Sequence, residues 1–513
     1  MKALRLLSCV LVLASFACGD DAPPEILIKP SLNAPVLLDD QLVFVDGPQH
    51  TAALLDVSAA KPSAKTRRVD IPPGAVQALR RNTADEALIL CAGERGDADT
   101  DPAPATLVAL TDEGKTRKYE LGTTPFNAMA QSDDGRYAIA FRSGPALGRT
   151  LDNPNELIVV DLQLAPDAPG AVTRKAPEGL GHTLSRVLIS PNMRIAGEDR
   201  RLLVLLSAAE VTLFDLNHLE RRATIVELDA TRNIDPQQVV FSAHNPTLYV
   251  RAGGSDNIFM FRFEPYVNKD DGNDFQPTIN PLSGGVKPSD IALFGGATAE
   301  RLLVVAQSSA QALVIDPDSS KTTAVPLKAA AQHILLFNAA SPRDPRVQTR
   351  ALLYSDAQPG VSFLDPESLT AEPSDNVEAL NLNTPANAMI PLLDEAQVVL
   401  LQPNSVSLLN LSQRTLTPIS SSGSLSGAQF DAARKRLWVG PVGQPWLGSL
   451  DLGTGKTDEL RLDQGVDRVL PMLAQDRLVV LHTNPEGSAT LVDLEHPDRE
   501  HVQRLEGFFA AAL

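Results

Sequence analysis

The segment LGSLDLGTGK, residues 447–456, combines an apolar run, an aspartate that closes it and a turn that contains glycine. Ten segments share this plan, with Asp, Asn or another polar residue at the end of the run, and they recur about every 40–55 residues. In chain order the ten are ALLDVSAAKP (53–62), TLVALTDEGK (106–115), LIVVDLQLAP (157–166), VTLFDLNHLE (211–220), NIFMFRFEPY (257–266), ALVIDPDSSK (312–321), VSFLDPESLT (361–370), VSLLNLSQRT (406–415), LGSLDLGTGK (447–456) and ATLVDLEHPD (489–498). Apolar runs bounded by Asp, Asn, Gly and Pro predict β-strands that end in tight turns.

Each of these segments is preceded by two further strand-like runs, as in FNAMAQSDDGRYAIAF (126–141), and followed by a fourth, as in TDELRL (457–462). Four strands per unit of about 40–50 residues predict an all-β chain, a β-propeller built from about ten four-stranded repeat units. One such sheet cannot bury both faces alone, whereas radial stacking buries each sheet against its neighbours. We expect the small first-strand residues Ala128, Ala292 and Ala388 to pack at a crowded inner wall.

The repeat resembles the blades of bacterial β-propellers of the YVTN and quinoprotein-dehydrogenase-like (WD40-like) group. In those blades a strand that ends in an Asp-Leu pair passes through a TGK-type turn into the outer strand. The resemblance covers nearly the whole chain after the leader, although neither a YVTN tetrapeptide nor a WD40-type Trp-Asp pair occurs. Ten units exceed the usual number of blades in one ring, so one large ring and two smaller rings both remain open.

The first residues have the parts of a secretory leader. Lys2 and Arg5 precede an apolar run at 6–16, which is shorter than the about 20 residues that a membrane-spanning helix needs. The sequence that follows, Ala17-Cys18-Gly19, resembles the cleavage site of bacterial lipoproteins. This resemblance implies cleavage before Cys18 and a diacylglycerol on its sulfur.

The leader divides the chain into three parts: a lipoprotein signal peptide (1–17), a tether after the lipidated cysteine (18–32) and the β-propeller (33–513). We expect an exported protein that is lipid-anchored to the bacterial cell envelope, on the periplasmic or surface side of the outer membrane. Its contact with the membrane should be through the lipid anchor only. The alternative is ordinary cleavage followed by secretion.

The triplet Gly455-Lys456-Thr457 is predicted to be a turn and not a phosphate-binding loop. Such a loop needs a glycine five positions before Gly455, where this chain has Leu450, and a helix after the threonine. No helical pattern follows.

Composition argues against nucleic acid as a partner. The chain has 63 acidic and 45 basic residues, a net charge of −18, and only 4% aromatic residues. An acidic surface repels phosphate backbones, and few aromatic side chains are available to stack on bases.

Asp97, Asp99 and Asp101 are the candidate metal ligands. They alternate within one loop, and three carboxylates at this spacing can converge on Ca²⁺, as in the first half of an EF-hand loop. The glycine and glutamate that complete an EF-hand are replaced by Pro102 and Val108.

Other polar residues give weaker patterns. A second acidic loop, NKDDGNDF (268–275), contains Asp274, and His182 and His333 lie near first strands. No histidine pair has His-x-His or His-x-x-x-His spacing, and no Cys-x-x-Cys occurs. Cys91, within an apolar run, is predicted to be a small buried hydrophobic residue.

These patterns favour a binding or scaffold module without catalytic or cofactor-binding residues. We expect an envelope protein or a small ligand at the rim or the channel of the propeller, and no cofactor apart from Ca²⁺ at the candidate site. The resemblance implies an alternative, a metal-dependent propeller enzyme that is lactonase-like or dehydrogenase-like. The sequence leaves open whether the chain is an enzyme and favours a non-enzymatic role.

Overall fold

The computed structural model describes most of the chain from residue 35 onward. The described residues are 35–94, 103–143, 155–177, 184–228, 234–266, 272–296, 298–386, 388–392, 396–402, 405–420 and 428–509. Within them the strands form ten four-stranded antiparallel sheets, and these sheets are the blades of one ten-bladed β-propeller. The predicted fold class is confirmed, and a single ring replaces the choice between one ring and two. No described helix is long and apolar enough to cross a membrane.

Each blade is a meander of consecutive strands, except that blade 4 contains an inserted hairpin. Blades 1 to 3 comprise β1 (Val36–Leu38), β2 (Gln41–Asp46), β3 (Thr51–Asp56), β4 (Thr66–Asp70), β5 (Ala75–Arg80), β6 (Glu86–Cys91), β7 (Ala105–Thr111), β8 (Thr116–Gly122), β9 (Ala128–Gln131), β10 (Tyr137–Phe141), β11 (Leu157–Asp161) and β12 (Val172–Lys175). Blades 4 and 5 comprise β13 (Arg186–Ile189), the hairpin β14 (Met193–Ile195) and β15 (Glu198–Arg200), β16 (Leu202–Ser207), β17 (Glu210–Asp215), β18 (Thr224–Glu227), β19 (Asp235–Phe241), β20 (Thr247–Gly253), β21 (Asn257–Pro265) and β22 (Phe275–Ser283).

The second half of the ring repeats the plan. Blades 6 to 8 comprise β23 (Pro288–Phe294), β24 (Arg301–Ala306), β25 (Gln311–Asp316), β26 (Lys321–Pro326), β27 (His333–Ala339), β28 (Gln348–Ser355), β29 (Gln358–Leu364), β30 (Val377–Asn381), β31 (Ala388–Leu392), β32 (Gln397–Gln402), β33 (Ser405–Asn410) and β34 (Thr415–Ser420). Blades 9 and 10 comprise β35 (Gln429–Asp431), β36 (Arg436–Val439), β37 (Trp446–Asp451), β38 (Thr457–Arg461), β39 (Val466–Met472), β40 (Arg477–His482), β41 (Ser488–Asp493) and β42 (Val502–Glu506). Short 3₁₀ turns lie at Pro366–Ser368, Pro373–Asn376 and Leu473–Gln475.

The core of the protein lies in the seams between blades. Ten clusters of buried apolar residues each join two neighbouring blades, one cluster for each seam of the ring. The middle strands supply most of them, so Leu302, Leu303 and Val304 of β24 are all fully buried. Each sheet is therefore covered on both faces by its neighbours, as radial stacking requires.

The inner wall of the ring is more open than the sequence predicted. First strands of successive blades adjoin one another, as β5 does β1 and β9, which places them innermost. The small residues expected at a crowded wall are not fully packed: Ala128 and Ala292 are half-buried and Ala388 is exposed. A ring of ten blades holds its first strands farther from the axis than a smaller ring does, so close packing there is not needed.

The recurring aspartate at the end of the third strand organises the turn into the fourth. In blade 1 the Oδ1 atom of Asp56 accepts the N–H of Ser58 at 2.9 Å, and in blade 10 Asp493 accepts that of Glu495 at 2.8 Å. A side chain that bonds the backbone two residues later forms an Asx turn, which makes a tight reversal without a helix. This explains why Asp recurs at this position.

The Gly-Lys-Thr segment is such a turn, as predicted. Asp451 Oδ1 accepts the N–H groups of Gly453 at 3.0 Å and Thr454 at 2.8 Å. Gly455 has a φ of 69°, a left-handed conformation that favours glycine. The exposed Lys456 ammonium pairs with Asp458 at 3.1 Å on the next strand.

The ring closes between blades 1 and 10 through aromatic packing and hydrogen bonds from side chains. Blade 1 consists of β1 to β4 and blade 10 of β39 to β42, so among the described residues no sheet is shared across this seam. Phe44 of β2 packs against Phe508 and Phe509, with ring centroids at 5.7 and 4.9 Å. Thr66 Oγ1 donates to the carbonyl of Phe508 at 3.2 Å, and Arg477 Nη2 donates to that of Ala59 at 2.7 Å.

Candidate functional site

The lipidation and calcium predictions concern parts of the chain that the structure does not describe. Cys18 precedes residue 35, and Asp97, Asp99 and Asp101 fall between residues 94 and 103, so all four lie outside the described residues and remain predictions. His182 also lies outside them. Across the described ranges no three His, Cys, Asp or Glu side chains are grouped so as to hold a metal ion.

Asp274, in the second acidic loop, takes part in an ion-pair cluster between blades 4 and 5. Its carboxylate accepts hydrogen bonds from Arg200 Nη1 and Arg221 Nη1, both at 2.8 Å, and Arg200 also bonds Asp215 at 2.7 Å. Burial raises the pKa of Asp274, but the two arginines outweigh burial and lower it. These contacts fasten the inserted hairpin of blade 4 to blade 5.

The structure also shows the surroundings of Cys91 and His333, which the sequence singled out. Cys91 is fully buried and burial raises the pKa of its thiol to about 12, which confirms the prediction of a small buried hydrophobic residue. His333 begins the first strand of blade 7. Its Nε2 atom lies 3.0 Å from Asp356 Oδ2 and its ring packs on Tyr354 at 5.0 Å.

Among the described residues, a β-bulge near the start of the first strand occurs in four blades, and in three of them the residue after the bulge bonds to the next blade. The residues that follow the bulge are Gln77, Gln238, Asp290 and Arg468. Gln77 accepts the N–H of Met129 at 2.6 Å in blade 3. Gln238 donates to Asp290 at 2.7 Å, and Asp290 accepts the N–H of Ile334 at 2.8 Å. Bulges commonly re-aim side chains, and here three of them connect neighbouring first strands.

Arg251 departs from this shared plan. It lies on β20 opposite Gln238, in the place that Leu90, Val305 and Leu481 occupy opposite the other three residues that follow a bulge. Those three side chains are apolar and at most 5% exposed, and they pack in the seam with the next blade. Blade 5 therefore has a cation where the equivalent blades have a core residue.

The guanidinium of Arg251 has only neutral partners. Nε donates to Gln238 Oε1 at 2.9 Å, and Nη1 donates to Gln237 Oε1 at 2.7 Å and to the carbonyl of Pro288 at 3.2 Å. Nη2 makes no hydrogen bond to a described residue, and no described carboxylate lies within ion-pair distance. Gly253 makes room for this arrangement, since a Cβ there would lie 2.5 Å from the amide nitrogen of Gln237.

The electrostatic surroundings leave the charge of Arg251 poorly compensated. Burial lowers the pKa of its guanidinium, the carboxylate of Asp290 opposes this effect, and Arg186 of blade 4 adds to it. Asp290 is held by other donors, so its charge is shared with Gln238 and with backbone amides. A charge that is partly buried without an ionic partner destabilises the fold.

A cavity of about 450 Å³ opens beside Arg251 at the seam between blades 5 and 6. The turn between β20 and β21, the start of β23 and Gln307 form its walls. Lys287 contributes a second cation, with a φ of 53° and its backbone N–H donating to Asp256 Oδ1 at 3.0 Å. No described carboxylate lies within ion-pair distance of its ammonium group. The charged lining is thus two cations and one carboxylate, in a chain with a net charge of −18.

Two other cavities are better explained by packing between blades. One of about 290 Å³ lies at the other end of β20, where Arg262 is paired with Asp318 at 2.6 Å and Tyr249 bonds Glu300 at 3.3 Å. Another, of about 280 Å³, lies on blade 9 beside the half-buried Trp446. Trp438, by contrast, is buried in the seam between blades 9 and 10.

Comparison with known proteins adds no family. No protein-family model and no curated protein matches the sequence. Among solved structures, this chain is similar to a dihydro-heme d1 dehydrogenase NirN in complex with DHE, with 12% identity, a TM-score of 0.42 and coverage of 85% of this chain and 75% of that one. It is also similar to a eukaryotic initiation factor, with 10% identity, a TM-score of 0.43 and coverage of 77% and 91%. At such identities the function has to be derived from this chain's own residues.

Proposed function

We propose that this chain is a binding module of the bacterial cell envelope. In this proposal, a lipid on Cys18 anchors the exported propeller to the outer membrane, and its rim or channel holds an envelope protein or a small ligand. The charge at Arg251 is the observation that carries the proposal. Three other blades fill the equivalent place with a buried apolar side chain, so blade 5 gives up seam stability beside an open cavity. Loss of stability at a cavity wall is typical of a site kept for contact with another molecule.

Membrane attachment is tested by cell fractionation. Cys18→Ala should release the protein from membranes, whereas Cys9→Ala, within the apolar run of the leader, should leave it attached. Complete membrane retention of Cys18→Ala would show that the anchor is not a lipid on this residue.

The binding role is tested by crosslinking in cells, followed by affinity capture of the tagged, anchored protein and mass spectrometry. A recurrent envelope partner supports a scaffold role. Recovery of the protein alone, together with no retained small molecule in the purified sample, would contradict the proposal.

A further inference from the structure

The cavity at the seam of blades 5 and 6 offers hydrogen-bond donors with positive charge. Arg251 leaves Nη2 without a described partner, and Lys287 leaves its ammonium without a described carboxylate. The one carboxylate in the lining, Asp256, already accepts the backbone N–H of Lys287 at 3.0 Å. Arginine and lysine together suit an oxyanion, because a guanidinium presents paired N–H groups and an ammonium adds a point charge.

The size of the cavity and the position of its cations fit a small molecule. A volume of about 450 Å³ falls within the range of small-molecule sites, and the lining also includes Ser255, Ser289 and Gln307, whose side chains are polar. The site is asymmetric, since the opposite cavity of the same seam has its arginine, Arg262, paired with Asp318. Of the two cavities in this seam, the one beside Arg251 is the one whose cations have no described carboxylate within ion-pair distance.

We propose that this cavity binds a carboxylate or phosphate group of a small molecule, with Arg251 and Lys287 as its cationic ligands. The proposal rests on the role of the chain as a binding module and adds the chemistry of the ligand. A bound oxyanion would supply the ionic partner that Arg251 lacks among the described residues, and Gln237 and Gln238 would hold the guanidinium in position through their existing hydrogen bonds. The acidic surface elsewhere would keep non-specific anion binding low.

The test is calorimetric titration of the full-length protein in detergent with inorganic phosphate and, separately, with citrate, at constant ionic strength set by sodium chloride. We expect saturable binding of at least one probe, and the two arms distinguish a phosphate site from a carboxylate site. Arg251→Leu introduces the residue that blades 2 and 10 have in this place. It should weaken binding about tenfold or more, because a charge-assisted hydrogen bond is lost.

Two further variants make the test specific. Lys287→Gln, in the connection before β23, should weaken binding while leaving the seam intact, and it serves if Arg251→Leu does not fold. Arg262→Gln, on the same blade but at the other cavity, should bind like the wild type. Wild-type protein that binds neither probe, or Arg251→Leu and Lys287→Gln variants that bind as tightly as the wild type, would overturn the proposal.

The result of the anion titration can be separated from the result of the capture experiment that tests the proposed function. If cells yield a recurrent partner but the purified protein binds neither anion, the module role stands and the oxyanion site is refuted. If the anion binds with the expected dependence on Arg251 while no partner is captured, the site stands and the partner is a small molecule.

Discussion

Phe44→Ala should weaken the seam that closes the ring more than it weakens any other seam. The side chain of Phe44 is 7% exposed and contacts two rings of the C-terminal segment, Phe508 at 5.7 Å and Phe509 at 4.9 Å. Removing a buried phenyl group costs about 3–5 kcal/mol. Blades 1 and 10 are not consecutive in the chain, so no connecting segment ties them together as one ties every other pair of neighbouring blades. Much of this loss should therefore appear as local opening between them and not only as global unfolding.

Hydrogen exchange followed by mass spectrometry measures this opening. If the seam opens before the whole ring unfolds, exchange in β2, β3, β40 and β41 should become about a hundredfold to a few thousandfold faster. The matched control is Phe263→Ala, which removes another buried ring, 3% exposed, that packs edge-on against Phe275 at 5.7 Å within blade 5. That variant should accelerate exchange around blade 5. Phe44→Leu, which keeps most of the volume, should cost about 1 kcal/mol.

The reasoning about closure fails if Phe44→Ala and Phe263→Ala give the same exchange pattern. Equal acceleration in all ten blades for both variants would mean that the ring unfolds as one cooperative unit. An unchanged rate in blades 1 and 10 of Phe44→Ala would mean that the polar contacts of Thr66 and Arg477 suffice to close the ring.

Three further predictions concern single groups. Burial raises the pKa of the Cys91 thiol to about 12, so this thiol should be unreactive in the folded protein. In a protein where Cys91 is the only free thiol, an aromatic disulfide reagent should react with it only after unfolding in guanidinium. Fast reaction of the native protein would contradict the burial of Cys91. The Nε2 atom of His482 lies 2.7 Å from Thr490 Oγ1, and burial lowers the pKa of this histidine. The neutral side chain should therefore stabilise the fold above about pH 6.5, and this stabilisation should be lost as the pH falls towards the folded-state pKa. The difference in unfolding free energy between wild type and His482→Gln should therefore shrink from pH 8 to pH 5, and parallel curves would exclude this role. If the alternating aspartates bind Ca²⁺, about 1 mM Ca²⁺ should raise the melting temperature of the wild type but not that of a variant with Asn at all three positions, Asp97, Asp99 and Asp101.

The fold could be predicted because its signals are local and repeated. Asp56, Asp451 and Asp493 each bond the backbone of the turn that follows them, so the residue that marks the repeat in the sequence also makes the turn in the structure. The number of rings could not be predicted in the same way. A single ring requires contact between the first and the last blade, here between Phe44 and the rings of Phe508 and Phe509. These residues lie near opposite ends of the described chain, and no local sequence pattern encodes their contact.

The candidate site was less accessible to sequence reasoning. Arg251 is one charged residue within the apolar strand TLYVRAGG (247–254), and its partners Gln237, Gln238 and Pro288 come from two other strands. A signal was present, since aligning the second strands places Arg251 over Leu90 and Leu481. Using it required the position of the bulge, which sets the alignment and is visible only in the strand pairing.

Buried arginines elsewhere in the ring show why Arg251 differs. Arg200 is fully buried but bonds Asp215 at 2.7 Å, and Arg350 and Arg414 converge on Asp365 at 2.5 and 2.8 Å. Those charges join blades and are balanced inside the protein, where losing one partner would strand the other. Arg251 has no such balance among the described residues, yet it occupies a place that leucine or valine fills in three equivalent blades. In a repeat protein the other blades act as internal controls, so a position where one blade gives up apolar packing for an uncompensated charge is best explained by a negative group supplied from outside.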